Sequence, residues 1–177
     1  DHKKALEWYM KAAEQGYAEA QYQVGAAYRF GEGVEPDYKK SFQWLLKAAK
    51  QEHVTAEYSV GTMYINGEGV QQDSEKSFIW CMKAAEQGHP LAQHNVGVMY
   101  GNGRGVSKNK EKSFQWHMKA AQQGNPSAQH NVGYAYRFGE GVEQDYKKAF
   151  EWFKKAAEQG HPLAQHNVGV MYGNGRG

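Results

Sequence analysis

A chain of 177 residues with 40% hydrophobic and 14% aromatic content holds enough apolar material for a packed core. Its formal charge of +2 gives no electrostatic reason to expect nucleic acid or an anionic membrane surface as a partner. The single cysteine, Cys81, excludes an intrachain disulfide framework, and no apolar run is long enough to span a bilayer.

The chain repeats itself. Tryptophan stands at 8, 44, 80, 116 and 152, a step of 36 each time. The same step relates Ala20, Ala56, Ala92, Ala128 and Ala164, then Gly25, Gly61, Gly97, Gly133 and Gly169, then Tyr28, Tyr64, Tyr100, Tyr136 and Tyr172. The stretch 88–105 returns letter for letter at 160–177. A fixed period of this kind marks a repeat array, in which each unit packs on its neighbours and length gives no domain count. The chain starts at Asp1 without Met and stops in a glycine loop, so it reads as a piece of a longer protein.

The first predicted element is a helix over 1–15, DHKKALEWYMKAAEQ. Asp1 and its copies Asp37, Asp73, Asn109 and Asp145 are N-cap types whose side-chain oxygen accepts a free backbone N–H. Gly16, Gly88, Gly124 and Gly160 close the helix in the left-handed conformation. The second copy has Glu52 there, which predicts a strained or frayed end. On a helical wheel Ala5, Leu6, Trp8, Tyr9, Met10, Ala12 and Ala13 cover roughly 200°. That arc is wider than one neighbour hides, so the helix should be covered on more than one side. Lys3, Lys4, Glu7, Lys11 and Glu14 are left to face water.

A shorter helix follows, from about 18 to 30 in the first copy and about 90 to 101 in the third. Pro90, Pro126 and Pro162 fall in its first turn, where the missing N–H has no partner anyway. Gly31, Gly33 and their copies turn the loop that ends it. Glycine in mid-helix at Gly25 and its copies costs about 1 kcal/mol against alanine. Its regular return predicts close approach of a neighbouring helix. Cys81 stands in a column with Tyr9, Leu45, His117 and Phe153, and reads as a small buried hydrophobe.

The pattern A-x-A-Q-x-N-V-G-x-M-Y-x-N-G-x-G-V followed by D-x-x-K-S/A-F-x-W-x-x-K-A-A-E-Q-G resembles the Sel1-like repeat, a relative of the tetratricopeptide repeat. The resemblance covers the whole chain. In that register there are full repeats at 17–52, 53–88, 89–124 and 125–160, with a second helix at 1–16 and a first helix at 161–177. It implies an all-α fold, an α/α right-handed superhelical solenoid of tandem helix pairs. It also implies a platform for other proteins, with no catalysis and no cofactor.

Comparison of the copies shows where individuality lies. On the short helix, Ala20, Gln21, Val24, Gly25, Ala27 and Tyr28 keep their kind and serve packing. The opposite face differs from copy to copy. It carries Tyr22, Arg29 and Phe30, then Tyr58, Thr62 and Ile65. Next come Leu91, His94, Asn95 and Val98, then His130, Asn131, Tyr134, Arg137 and Phe138, and finally Leu163, His166 and Val170. Aromatics beside arginine are the composition of protein-binding hot spots. The tetratricopeptide resemblance puts the equivalent offsets on the concave groove, so a protein or peptide partner is expected there. Asn95, Asn131 and Asn167 match one offset of the groove that grips a peptide carboxylate in some of those proteins, but the accompanying lysines are missing. Packing of the same residues against the adjacent repeat is the competing reading. Uncapped, complementary ends point to head-to-tail self-association as an alternative.

Sharper chemistry finds little support. Lysines form two columns, 4 to 148 and 11 to 155, but interleaved glutamates make them a solvated face whose stems lie over apolar neighbours. Lysine in a first turn opposes the helix dipole, so Lys4 and its copies are expected to reach carbonyls of the preceding loop. His94, His130 and His166 form a column too widely spaced to share a metal ion. The glycine loops follow helix C-termini, the wrong end for a phosphate cradle. Ser107–Lys110 spells S-x-x-K without the companion motifs of penicillin-recognising enzymes. No nucleic acid, metal or membrane insertion is expected. Lack of disulfides and of a signal peptide favours the cytoplasm.

Overall fold

The computed structural model describes residues 1–175 and is all-helical among them. Arg176 and Gly177, the last letters of the repeated stretch and of the predicted 161–177 segment, lie outside the described residues. Two compact units divide the chain at His89 and Pro90. The first holds α1 (His2–Glu14), α2 (Ala18–Phe30), α3 (Tyr38–Ala49), α4 (Val54–Asn66) and α5 (Ser74–Glu86). The second holds α6 (Pro90–Asn102), α7 (Lys110–Gln122), α8 (Pro126–Phe138), α9 (Tyr146–Glu158) and α10 (Pro162–Gly173). Within each unit every helix packs on the one before and the one after.

Local chemistry sets the helix ends. The N-cap column works as its residue types require: the amides of Lys40, Lys76, Lys112 and Lys148 donate to Asp37, Asp73, Asn109 and Asp145 at 2.8–3.0 Å. Glu52 takes φ +62, and no other described non-glycine residue has a positive φ. The end of α3 is strained there but not frayed. Glu52 N still donates to Ala49 O, and His53 N to Ala48 O.

The mid-helix glycines are seats for the next helix. A Cβ on Gly25 would come within 2.6 Å of Leu45 Cγ, on Gly61 within 2.5 Å of Cys81 Sγ, and on Gly133 within 2.7 Å of the Phe153 ring. The position shared by Leu45, Cys81, His117 and Phe153 is therefore a knob, and glycine makes room for it. Around these knobs lie Val24, Val60 and Met63 in the first unit, and Val96, Val132 and Met171 in the second, all almost wholly buried. Cys81 is buried, and burial pushes its thiol up to about 11, so it is inert as expected.

A polar ladder runs beside the core. Gln51 Nε2 donates to Gln21 Oε1 at 2.8 Å, and the spacing recurs in Gln87 to Glu57, Gln123 to Gln93 and Gln159 to Gln129. Gln21 and Gln129 in turn donate to Ala13 O and Ala121 O. Buried amides with both ends satisfied hold helices in register.

The wide apolar arc is covered from two sides in α3, α7 and α9, which pack on the helix before and the helix after and bury Leu45, His117 and Phe153, whereas Trp8 and Tyr9 of α1, which packs on α2, are 68% and 42% exposed. The later tryptophans are half-buried at the flank of the stack, each under a lysine of its own helix, such as Lys47 Nζ at 3.9 Å from the Trp44 ring. The lysines of the first turn do not reach loop carbonyls. Lys40, Lys76 and Lys148 pair with the cap carboxylates of Asp37, Asp73 and Asp145 at 3.0–3.6 Å and lie over Tyr28, Tyr64 and Tyr136. The cap aspartate supplies the negative charge that the dipole argument lacked.

Candidate partner-docking face

The varying face belongs to the even-numbered helices, and the structure splits its residues into two kinds. Some are spent on the adjacent repeat. In the first unit Tyr22 stacks on His53 with ring centroids 4.8 Å apart. His53 Nδ1 accepts from Ala56 N, so the proton sits on Nε2, which donates to Glu19 at 2.9 Å. Tyr58 stacks in the same way on His89, at 4.7 Å. The Arg29 guanidinium lies 2.7 Å from Glu68 and donates to Thr62 Oγ1 at 3.4 Å. Ile65 is half-buried, and its carbonyl accepts from Gln72. Phe30 is 68% exposed, with the Arg29 guanidinium 5.7 Å from its ring centroid.

In the second unit the same face carries a directed chain of hydrogen bonds. Arg137 donates to Asn167 Oδ1 at 3.1 Å, which turns Asn167 Nδ2 toward His130 Nε2, also at 3.1 Å. His130 Nδ1 then faces Asn131 Oδ1 at 3.3 Å, and Asn131 Nδ2 faces His117 Nε2 at 3.3 Å. Each histidine nitrogen that accepts forces the proton to the other, so both rings are neutral with Nδ1 protonated. The chain ends inside the stack on His117 Nδ1, which is buried without a partner, as is His94 Nδ1 in the ring 5.2 Å away. Burial first, then the neighbouring His94, holds His117 down at about 3. Burial likewise lowers His89, His94 and His130.

The remaining predicted residues are exposed or half-buried. Tyr134 and Phe138 are 43% and 51% exposed, with ring centroids 4.5 Å apart on one side of α8 and Arg137 over the Phe138 ring. Leu91, Leu163 and His166 are exposed, while Asn95, Val98 and Val170 are half-buried. A cavity of about 290 Å³ opens beside this cluster, lined by Val98, Asn131 and Tyr134 together with Lys110, Phe114, His117 and Glu140. Sequence reasoning missed the last four. It also missed the histidines His53, His89 and His161 at helix starts, whose rings stack on residues of the face.

Helix pairs repeated at one spacing, each seating a knob of the next helix on a glycine, define a tandem helix-pair repeat protein. The Sel1 repeat model matches residues 1–17, 18–53, 54–89, 90–125, 126–161 and 162–177, and the chain belongs to the Sel1 repeat family. Among solved structures it is 44% identical, with a TM-score of 0.93, to a protective antigen of uropathogenic Escherichia coli that displays an SLR fold. That match covers 96% of this chain but only 36% of the antigen, so the chain spans about a third of that protein's length. A Sel1 repeat protein from Oxalobacter formigenes is 37% identical with a TM-score of 0.90, the match covering 99% of this chain and 72% of the other. An immunity protein from Pseudomonas aeruginosa is 27% identical with a TM-score of 0.58, over 92% and 60% of the two chains. A search of curated proteins returned no match.

Proposed function

We propose that this array is a non-catalytic scaffold that binds a partner protein or peptide on the varying face of its even-numbered helices, with Tyr134 and Phe138 as anchors. The observation that carries the reading is their exposure. The core side of α8 is already filled by Ala128, Val132 and Ala135, so the two rings are not needed to stack repeats. Large rigid aromatics beside an arginine are the groups that dominate binding energy at protein interfaces. The solved relatives include immunity proteins and a protective antigen, names that suit recognition of another molecule. The test is affinity capture from the source lysate with mass spectrometry, followed by titration of the captured partner against the wild type and a Tyr134→Ala/Phe138→Ala variant. Exposed rings can be removed without unfolding, so a variant with an unchanged helical melt should bind at least tenfold more weakly. Equal affinity would remove the reading.

A second reading, head-to-tail self-association, draws on a separate observation. A Cβ on Gly169 meets nothing within 4 Å, so this seat holds no knob, and Tyr9, the knob of the first copy, is exposed beside Trp8. One molecule's Tyr9 would fit another's Gly169. Light scattering across a hundredfold concentration range tests it, and a mass that stays at one chain throughout rejects it.

A further inference from the structure

The surroundings of Arg29 return two periods later with one side chain missing. In the first unit the Arg29 side chain is only 18% exposed, its guanidinium held by Glu68 and Thr62. In the second unit Glu140 occupies the place of Glu68, Phe114 that of Phe42 and Ser113 that of Ser41. Gly101 stands where Arg29 does, and Ala135 where Met63 does. Both columns carry smaller residues in the second unit, where a cavity of about 290 Å³ is lined by Gly101, Phe114, Ala135 and Glu140.

We infer that this cavity receives the side chain of an arginine carried by the docking partner, its guanidinium on Glu140. The inference rests on the docking function proposed above and names the chemistry it recognises. Arg29 serves as an internal stand-in for the guest, with an equivalent carboxylate and aromatic wall. Tyr134 replaces Thr62 at the mouth and adds a second ring against which a guanidinium can stack.

Size and charge agree. A cavity of about 290 Å³ lies at the lower bound of pockets for small organic ligands, roughly 300–1,000 Å³, and is large enough to admit one side chain. Glu140 Oε2 is taken by Lys110 Nζ at 2.5 Å, and Oε1 has no partner among the described residues. Both side chains of that ion pair are more than a third exposed, where such a pair is worth about 0–1 kcal/mol, so it yields easily. A planar guanidinium offers a two-pronged fork to a carboxylate, which an ammonium cannot. An anion would meet Glu140 and find the one lining cation, Lys110, already engaged.

The experiment is a ¹⁵N NMR titration of the 177-residue chain with acetyl-Gly-Arg-Gly-amide, and with the same peptide carrying citrulline or lysine. The arginine peptide should give saturable shifts of the Gly101, Phe114 and Glu140 amides. Citrulline, matched in shape but uncharged, should bind about tenfold more weakly, and lysine should fall between them. Glu140→Gln should weaken the arginine peptide by a similar factor. Gly101→Arg, which recreates the first unit's arrangement, should abolish its binding. A Cβ there comes within 3.0 Å of Ser113 Oγ, which has to give by a few tenths of an ångström beside its bond to Gly97 O, and a dispersed spectrum confirms the fold. Equal binding of the arginine and citrulline peptides, or an unchanged titration in Glu140→Gln, overturns the assignment. Failure here is separable from failure of the docking function. A partner that binds Gly101→Arg as well as wild type but loses affinity for Tyr134→Ala/Phe138→Ala removes the arginine seat and keeps the face.

Discussion

Acid should loosen residues 90–177 through His117. The ring is 6% exposed and sits in the Gly97 seat, where a Cβ would come within 2.6 Å of Nδ1. Asn131 donates to Nε2, so the fold holds the neutral form, and the group does not protonate until about 3 against an ordinary 6.5. Between these values the unfolded chain carries a proton that the folded chain refuses. Stability is therefore complete above pH 6.5 and falls as the pH drops, by up to about 1.4 kcal/mol per pH unit. From pH 7.5 to 5 the loss from this group alone is about 2 kcal/mol, or about 4–8 °C in Tm for a chain of this size. Circular dichroism melts at the two pH values, for wild type and His117→Phe, read it directly. Phenylalanine is the residue of the equivalent knob, Phe153, and it cannot titrate. The variant forfeits the bond from Asn131 at both pH values, so its Tm should fall by about 4–8 °C less than that of wild type on acidification. Every other side chain is the same in the two proteins, so the difference between their acid losses isolates His117. Equal acid losses would refute the reasoning.

Gly133→Ala and Gly169→Ala should move stability in opposite directions: the first drives a Cβ into the Phe153 ring and costs roughly 1–3 kcal/mol, while the second meets nothing and gains about 1 kcal/mol of helix propensity. Urea midpoints compare them, and a shared sign would count against the knob-and-seat packing. Glu52→Gly should stabilise by about 0.5–1 kcal/mol, the relief of a left-handed non-glycine residue less the extra freedom of glycine in the unfolded chain; a lower midpoint would show that no strain is stored there. Glu57→Gln should raise the urea midpoint by about 1–2 kcal/mol at neutral pH, since Glu57 is 1% exposed in a column otherwise of glutamines and, when ionised, cannot donate as Gln21 and Gln129 do. Burial raises its carboxyl above the ordinary 4.5, so the wild type loses stability as the pH rises past that value, and the gain should shrink in acid. A gain that is flat between about pH 4 and 7 would break the argument.

The fold was legible because stacking imposes the same demand on every copy. Gly25 and its equivalents looked wrong for a helix and so announced a neighbour, and Leu45, Cys81 and Phe153 are that neighbour's knobs. The N-cap column was readable one helix at a time. Contacts between residues about thirty positions apart were not, because they depend on how one helix pair sits on the next. That is why the stacks of Tyr22 on His53 and Tyr58 on His89, and the glutamine ladder, came only from the structure.

The same logic explains the face. Tyr22, Arg29 and His130 vary between copies yet are engaged within the array, because a contact can change its chemistry from one repeat to the next and still be a contact. Variation alone therefore does not separate docking residues from stitching residues. By exposure the face divides again, with Phe30, Leu91, Tyr134, Phe138 and Leu163 among its exposed apolar side chains. In the column of Arg29, Ile65 and Arg137 the third copy has Gly101, and Glu140, at the place of Glu68, pairs with Lys110 where Glu68 has Arg29.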